Sequence, residues 1–486
     1  MGEAIKFEHA CDRVPDALRT AFRAALATVS GAFDHREAAA LALGNAIVRQ
    51  FIEDELQAAA NELAAEVIVD GARYRRISEG TGRYHTLCGA VVIRRGLYRL
   101  LGVHNGPTVV PLELRAGIWE KATPALAFSV TQGFATQPPR HYELEMAAAH
   151  RRVPSRSTLE RIAKRGGAEV ADRIAAIEPS IREDEPWVEG VHSISFGTDR
   201  TTAPMAEEIP GAPVPEPRIR QRPAPVAVAY RMAYVGTVSL HDRDGNVVST
   251  KSFAATAHEG PDELLARMAG ELRHQRRRYG VPISAIQDGA PELWNLVARL
   301  RDHHGIGVDD QVLDRYHVDE RLADVCELVF GPYAEAHELY TLWRHQLDHS
   351  DTAIDRIIHH LDVLSAYSRW GAVEGDAAPS FWFDRGVTDL RDKALNAVEG
   401  HLEYFRRHRA LIRYASRKRA GRPIGSGATE GACKSLVAMR CKRGGQRWFE
   451  SGLSPCLALR ALHLSDRLRP AFLRIAAART ASLQAA

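Results

Sequence analysis

VHSISFGTDRTTAPM, residues 191–205, decides how this chain is read. Val191, Ile194 and Phe196 alternate with His192, Ser193 and Ser195 before Gly197, and Asp199 follows at once. A second run, PISAIQDGAPELW at 282–294, is preceded by Gly280 and ends on Asp288-Gly289. Short apolar runs bounded by turn residues read as buried strands, so each delivers a carboxylate to the rim of a sheet. A third acid, Glu430, stands in GSGATEGACKSLVAMRCKRGGQRW at 425–448. There Gly425, Ser426 and Gly427 break the chain, and Ser426 or Thr429 can cap a helix whose first turn carries the acid.

Taken singly, each acid has an ordinary explanation. Asp-Gly is a common turn dipeptide, a strand-end Asp often caps, and Glu430 with Lys434 is an i, i+4 surface pair. Taken together they suit a hard cation. Mg²⁺ prefers oxygen ligands, and a pair of ions about 3.5–4 Å apart needs several carboxylates converging on one point.

The order of elements is a strand with Asp199, a hairpin, a helix, a strand with Asp288, a further strand, a long helical stretch and a helix with Glu430. This order resembles the DDE transposases of bacterial insertion sequences, over roughly residues 190–465. Its most specific part is the 425–448 segment followed by LALRAL at 457–462. The resemblance implies an α+β multidomain chain with a ribonuclease H-like α/β catalytic domain interrupted by an all-α insertion. It further implies Asp199, Asp288 and Glu430 as catalytic metal ligands, two Mg²⁺ (or Mn²⁺) ions, and double-stranded DNA, as element ends and target, for a partner. A homodimer or higher synaptic oligomer follows from the need to hold two DNA ends. LDRYHVDERL at 313–322 resembles the family's junction between strand and insertion. His317 there is a second-rank candidate for contacting phosphate or orienting a metal ligand, with a structural histidine as the plainer reading.

The expected domains are a helical region at 1–72, a small sheet with a helix-turn-helix-like DNA-binding region at 73–185, the first part of the catalytic domain at 186–317, the α-helical insertion at 318–421, and C-terminal catalytic helices at 422–486. The Ala- and Leu-rich stretch from 16 to 68 reads as helices that pack or dimerise. RYHTLCGAVVIRRGLYRLLGVHNGPTVV reads as a small sheet. Related transposases often carry a zinc knuckle in such a ribbon; His104-Asn105-Gly106 stands near that place here, so no zinc is expected. Three helical pieces follow between about 124 and 165. The last resembles a recognition helix, with a Ser157/Glu160 capping box, Leu159 and Ile162 on the buried side, and Gly166-Gly167 as its stop. Arg156, Arg161, Lys164 and Arg165 are left for DNA.

The chain has 486 residues, 45% of them hydrophobic, and a formal charge of only +3. Charge is uneven, however: between 401 and 450 thirteen Lys and Arg face three acids. An excess of one sign beside the third acid favours a polyanion, with Lys434, Arg440, Lys442, Arg443 and Arg447 holding phosphates. A proline-rich loop from Pro210 with Arg218, Arg220 and Arg222 can follow a DNA strand. Cys11, Cys88, Cys326, Cys433, Cys441 and Cys456 form no C-x-x-C pair and read as reduced thiols. With no export or membrane-spanning pattern, a cytoplasmic, nucleoid-associated protein is expected. Trp343, Trp370 and Trp382 in the insertion read as core. No GxxxxGK[ST] run and no ordered Ser-His-Asp set points to an ATPase or a protein nucleophile. The alternatives are a retained DNA-binding protein that no longer transposes, and a nuclease of the same fold without strand transfer.

Overall fold

A computed structural model describes residues 15–209, 225–371 and 379–485. Arg218, Arg220 and Arg222 of the proline-rich loop, Cys11 and most of the GDAAPS turn at 375–380 lie outside the described residues. Contacts divide the chain into two units, Met1–Gly166 with Phe472–Ala486, and Gly167–Ala471. No helix among the described residues is long and apolar enough to cross a membrane.

The first unit has helices α1 (Asp16–Leu26) and α2 (Phe33–Asn61), then strands β1 (Glu66–Val69), β2 (Ala72–Thr86), β3 (Gly89–Leu100) and β4 (Thr108–Val109). Helices α3 (Pro111–Arg115), α4 (Pro124–Thr136) and α5 (Pro139–Ala148) follow. The sheet is an antiparallel meander, and alternation along β3 buries Val91 and Ile93 on one face and Tyr98 on the other, with Val67 and Val69. The C-terminal strand Leu483–Ala485 pairs with β1, so the last residues complete this small sheet instead of ending with the catalytic helices as expected.

Helix α6 (Arg156–Asp184) runs 29 residues, straight through the Gly166-Gly167 pair that the sequence suggested would stop it. These glycines serve packing. A Cβ on Gly167 would come within 3.1 Å of Leu459 and Pro455 side chains, and one on Gly166 within 3.1 Å of Thr131. Leu159 and Ile162 are buried as the amphipathic pattern requires. The first turn bonds back to the Ser155 carbonyl, so Ser155 rather than Ser157 precedes the helix.

The second unit is built on strands β5 (Ser193–Glu208), β6 (Val226–His241), β7 (Val247–Ala255), β8 (Ile283–Gln287) and β9 (Asp310–Leu313), in the order β7-β6-β5-β8-β9. The first three are antiparallel, while β8 and β9 run parallel to β5. Helix α7 (Gly260–Tyr279) connects β7 to β8, and α8 (Pro291–His304), which the sequence reading did not anticipate, connects β8 to β9. Phe196, Phe253, Leu264, Met268 and Leu272 are at most 1% exposed between sheet and helices. Each such side chain contributes about 1.5–3 kcal/mol by leaving water.

After β9 comes a helical section: α9 (Arg315–Phe330), α10 (Ala334–His349), α11 (Ala353–Trp370), α12 (Pro379–Phe383), α13 (Asp392–His408) and α14 (Tyr414–Arg419). Trp343 and Trp382 meet edge-to-face in its core, whereas Trp370 is 76% exposed at the end of α11 and is not core. The chain returns to the sheet through α15 (Gly427–Ala432), a π-helical turn (Cys433–Ala438) and α16 (Met439–Cys441), and closes with α17 (Glu450–Leu464) and α18 (Leu468–Ala481).

Candidate functional site

The pairing registers place three aspartates at one level. β5 pairs with β8 at an offset of 89 residues (Ile194 to Ile283), the offset that separates Asp199 from Asp288. β8 pairs with β9 at an offset of 26 (Ser284 to Asp310), the offset from Asp288 to Asp314. Asp288 and Asp314 directly follow the last residues of β8 and β9, where ligands bind in open α/β sheets, while Asp199, expected at a strand end, stands inside β5, which stays paired with β6 as far as Glu208. Asp199 and Asp288 were expected at one rim of the sheet. Asp314 was not, although QVLD at 311–314 repeats the pattern of AIQD at 285–288, a short apolar strand closed by Asp.

The strands part at this rim. The last β5–β8 pair is Phe196–Ala285; beyond it the Gln287 amide oxygen accepts from Thr198 N (3.0 Å) and Thr198 Oγ1 (3.2 Å). Asp199, Asp288, His317 and Glu430 line the resulting cleft with Thr198 and Gln287.

Glu430 reaches the cleft because α15 packs directly on the sheet. A Cβ at Gly197 would collide with the Thr429 hydroxyl and lie 3.0 Å from the Ile286 carbonyl, so only glycine admits the helix there. Thr429 Oγ1 also meets Thr237 Oγ1 at 2.7 Å. Ser426, ahead of the helix, is tied to the third aspartate: its N–H and Oγ–H donate to Asp314 at 3.0 and 2.7 Å. Asp314 also accepts from Tyr316 N and so caps α9. One carboxylate therefore links β9, the helical section and the Glu430 helix.

Asp314, His317 and Glu430 offer ligand atoms that all lie within 4.8 Å of one another. Burial, then a hydrogen bond with Asp314 and that residue's charge, push the Glu430 carboxyl up from its ordinary value. Glu430 Oε1 has no hydrogen-bond partner, and neither does Gln287 Nε2. His317 Nε2 is 3.8 Å from Asp314 and its Nδ1 3.1 Å from Glu320. A crowded set of carboxylates with an orphaned oxygen fits a divalent cation with oxygen ligands.

The other two acids are held by local bonds. Asp288 Oδ1 accepts from Ala290 N at 2.7 Å at the start of α8. A Cβ on the neighbouring Gly289 would collide with the Tyr404 ring, so α13 supports the Asp288 turn. Asp199 Oδ1 accepts from Arg200 N at 2.6 Å, and Cys433 Sγ donates to Asp199 Oδ2 at 3.1 Å. Burial, with the Asp199 charge and hydrogen bond, pushes the Cys433 thiol well up. Cys433 opens the π-helical turn, an irregularity frequent at functional sites.

The basic residues divide into two kinds. Lys434, Lys442, Arg443 and Arg447 are exposed, and Lys442 Nζ donates to Thr201 Oγ1 at 2.6 Å, two residues past Asp199. Arg440, expected to hold phosphate, is 2% exposed with its guanidinium 4.8 Å from the Trp448 ring centroid. Arg440 lies within α16, whereas Lys442 and Arg443 follow its end at Cys441. In the first unit Arg156, Arg161, Lys164 and Arg165 are exposed. Arg156 meets Glu160 at 3.8 Å and Arg161 meets Glu120 at 3.9 Å, distances at which surface pairs contribute about 0–1 kcal/mol.

No protein-family model matches this chain, and a search of curated proteins finds no match. Two solved structures are similar in part. The Drosophila P element transposase strand transfer complex is 12% identical, with a TM-score of 0.33, over 70% of this chain and 91% of that one. The Mos1 mariner paired end complex with Mn is 11% identical, with a TM-score of 0.15, over 51% of this chain and 62% of that one. Likeness of this extent leaves the reading of the site to its own residues.

Proposed function

We propose that this chain is a DDE-type DNA transposase of an insertion sequence, with a ribonuclease H-like catalytic domain, and that it cuts element ends and joins them to target DNA. The observation that carries the reading is the cleft lined by Asp199, Asp288, His317 and Glu430, with ligand atoms of Asp314, His317 and Glu430 within 4.8 Å of one another. Asp199, Asp288 and Glu430 are the metal ligands, joined by Asp314; His317 supports the same cluster. Bound in pairs, Mg²⁺ or Mn²⁺ would lower the pKa of the attacking oxygen and stabilise the leaving one. The chain's own residues do the rest. The four carboxylates fix the positions of charge, Thr429 and Ser426 hold Glu430 in place, and exposed Lys434, Lys442, Arg443 and Arg447 bind phosphates on either side of the cleft. Arg156, Arg161, Lys164 and Arg165 on the first unit engage duplex DNA, and synapsis of two ends requires at least a homodimer. The protein then works on the nucleoid, in the cytoplasm.

Labelled DNA bearing the sequences that flank the gene, incubated with Mg²⁺ or Mn²⁺, tests this. Wild type gives joined product, and Asp199→Asn, Asp288→Asn, Asp314→Asn and Glu430→Gln bind the ends without joining them. Binding by wild type with neither cutting nor joining would replace the proposal with a DNA-binding protein that does no chemistry.

A further inference from the structure

The helix that carries Glu430 contacts the acidic rim twice. Glu430 meets Asp314, and three residues on, Cys433 meets Asp199 through a 3.1 Å hydrogen bond from its thiol. Residues at i and i+3 share a helix face, so a single element faces both ends of the carboxylate row. Cys433 is 8% exposed, and Asp199's other oxygen is already held by Arg200 N. Both oxygens of Asp199 are thereby oriented by groups of the protein. A second, independent sign of a ligand stands in the same cleft: Gln287, 1% exposed, has its oxygen committed to Thr198 and its Nε2 without a partner.

We propose that Cys433 is a positioning residue, whose thiol fixes the rotamer of Asp199 and so tunes the affinity for the divalent ion held there. The proposal rests on the metal reading above. Groups that hydrogen-bond to ligating carboxylates set ligand orientation, and their loss typically weakens metal binding about 10–100-fold.

The test is calorimetric titration of the full chain with Mn²⁺, comparing wild type, Cys433→Ala, Cys433→Ser and Asp199→Asn, each checked by circular dichroism for native structure. Cys433→Ala is expected to weaken Mn²⁺ binding by about 10-fold or more. Cys433→Ser, which keeps a donor, should restore most of it. Loss of binding in Asp199→Asn with wild-type affinity in Cys433→Ala would overturn the role of Cys433 and leave the metal site standing. Wild-type protein that binds no Mn²⁺ would overturn both.

Discussion

Thr429 Oγ1 lies 2.7 Å from Thr237 Oγ1 while its side chain rests on Gly197, two residues before Asp199. The residue that seats the helix on the sheet is thus the neighbour of Glu430, and the surface it sits on is the strand that carries the first acid. The spacing of the carboxylates is set by this backbone contact rather than by the acids themselves, which would repel one another.

Gly197→Ala tests that coupling. The added methyl cannot fit beside Thr429, so α15 must lift or tilt. Overpacking of this kind costs about 1–3 kcal/mol, leaving the unit folded. DNA joining should nevertheless fall by two orders of magnitude or more, because a shift of about 1 Å in a catalytic group can cost 100-fold. Thr429→Ser, which keeps the hydroxyl toward Thr237, should retain activity; single-turnover joining assays on both variants decide it.

Glu430 makes the benefit of metal depend on pH. Its folded pKa is raised above the ordinary 4.5, so the stability it contributes is complete below that value and is lost as pH rises through the folded pKa. Divalent metal relieves the crowding that remains at neutral pH. Mn²⁺ should therefore raise the melting temperature more at pH 7.5 than at pH 5, the full effect at 100-fold excess over Kd being about 2.7 kcal/mol. Asp314→Asn should flatten both the pH dependence and the shift. Equal Mn²⁺ shifts at the two pH values would contradict the carboxylate crowding.

Arg443 and Arg440 stand three residues apart and should behave as opposites. Arg443→Ala, on the exposed side, should weaken DNA binding of every sequence alike and reduce the salt slope by about one. Arg440→Ala removes a buried cation from the face of Trp448 and should lower the melting temperature instead. Salt titrations of DNA binding beside thermal melts separate the two.

The acids legible in the sequence were those at the end of apolar runs, Asp199 and Asp288, and the one inside a glycine-framed helix start, Glu430. Asp314 carries the same local signal but follows a strand of only four residues, and its place beside Asp288 emerges only when register is known. Burial divided the basic residues in a way that composition could not, since Arg440 lies within α16 and Arg443 just beyond its end. The span of α6 was misread at Gly166-Gly167 because a glycine pair needed for close packing looks the same in sequence as one that ends a helix. The C-terminal strand escaped notice for another reason: its three residues become a strand only by pairing with β1, more than 400 positions away.

Acid should unfold the second unit through a buried ionic cluster. Glu271, 0% exposed, accepts from Arg467 at 2.7 and 3.1 Å and from Arg182 at 3.1 Å, while Glu178 pairs with Arg267 at 2.7 Å. Burial alone would raise the Glu271 carboxyl, but the charge and hydrogen bonds of Arg467 outweigh it and bring the group down to about 2. A depressed folded pKa gives stability that is present above the unfolded value near 4.5 and is lost as pH falls toward about 2. Melting temperature should drop steeply over that window. Glu271→Gln takes from Arg467 and Arg182 one of the two carboxylates that each faces, leaving Glu185 and Glu178, and should cost less than the roughly 3–5 kcal/mol of a fully unpaired buried charge at pH 7, with a shallower acid limb than wild type. Denaturant melts at pH 7 and pH 3.5 measure both quantities, and an unchanged acid limb in the variant would place the acid-sensitive groups elsewhere.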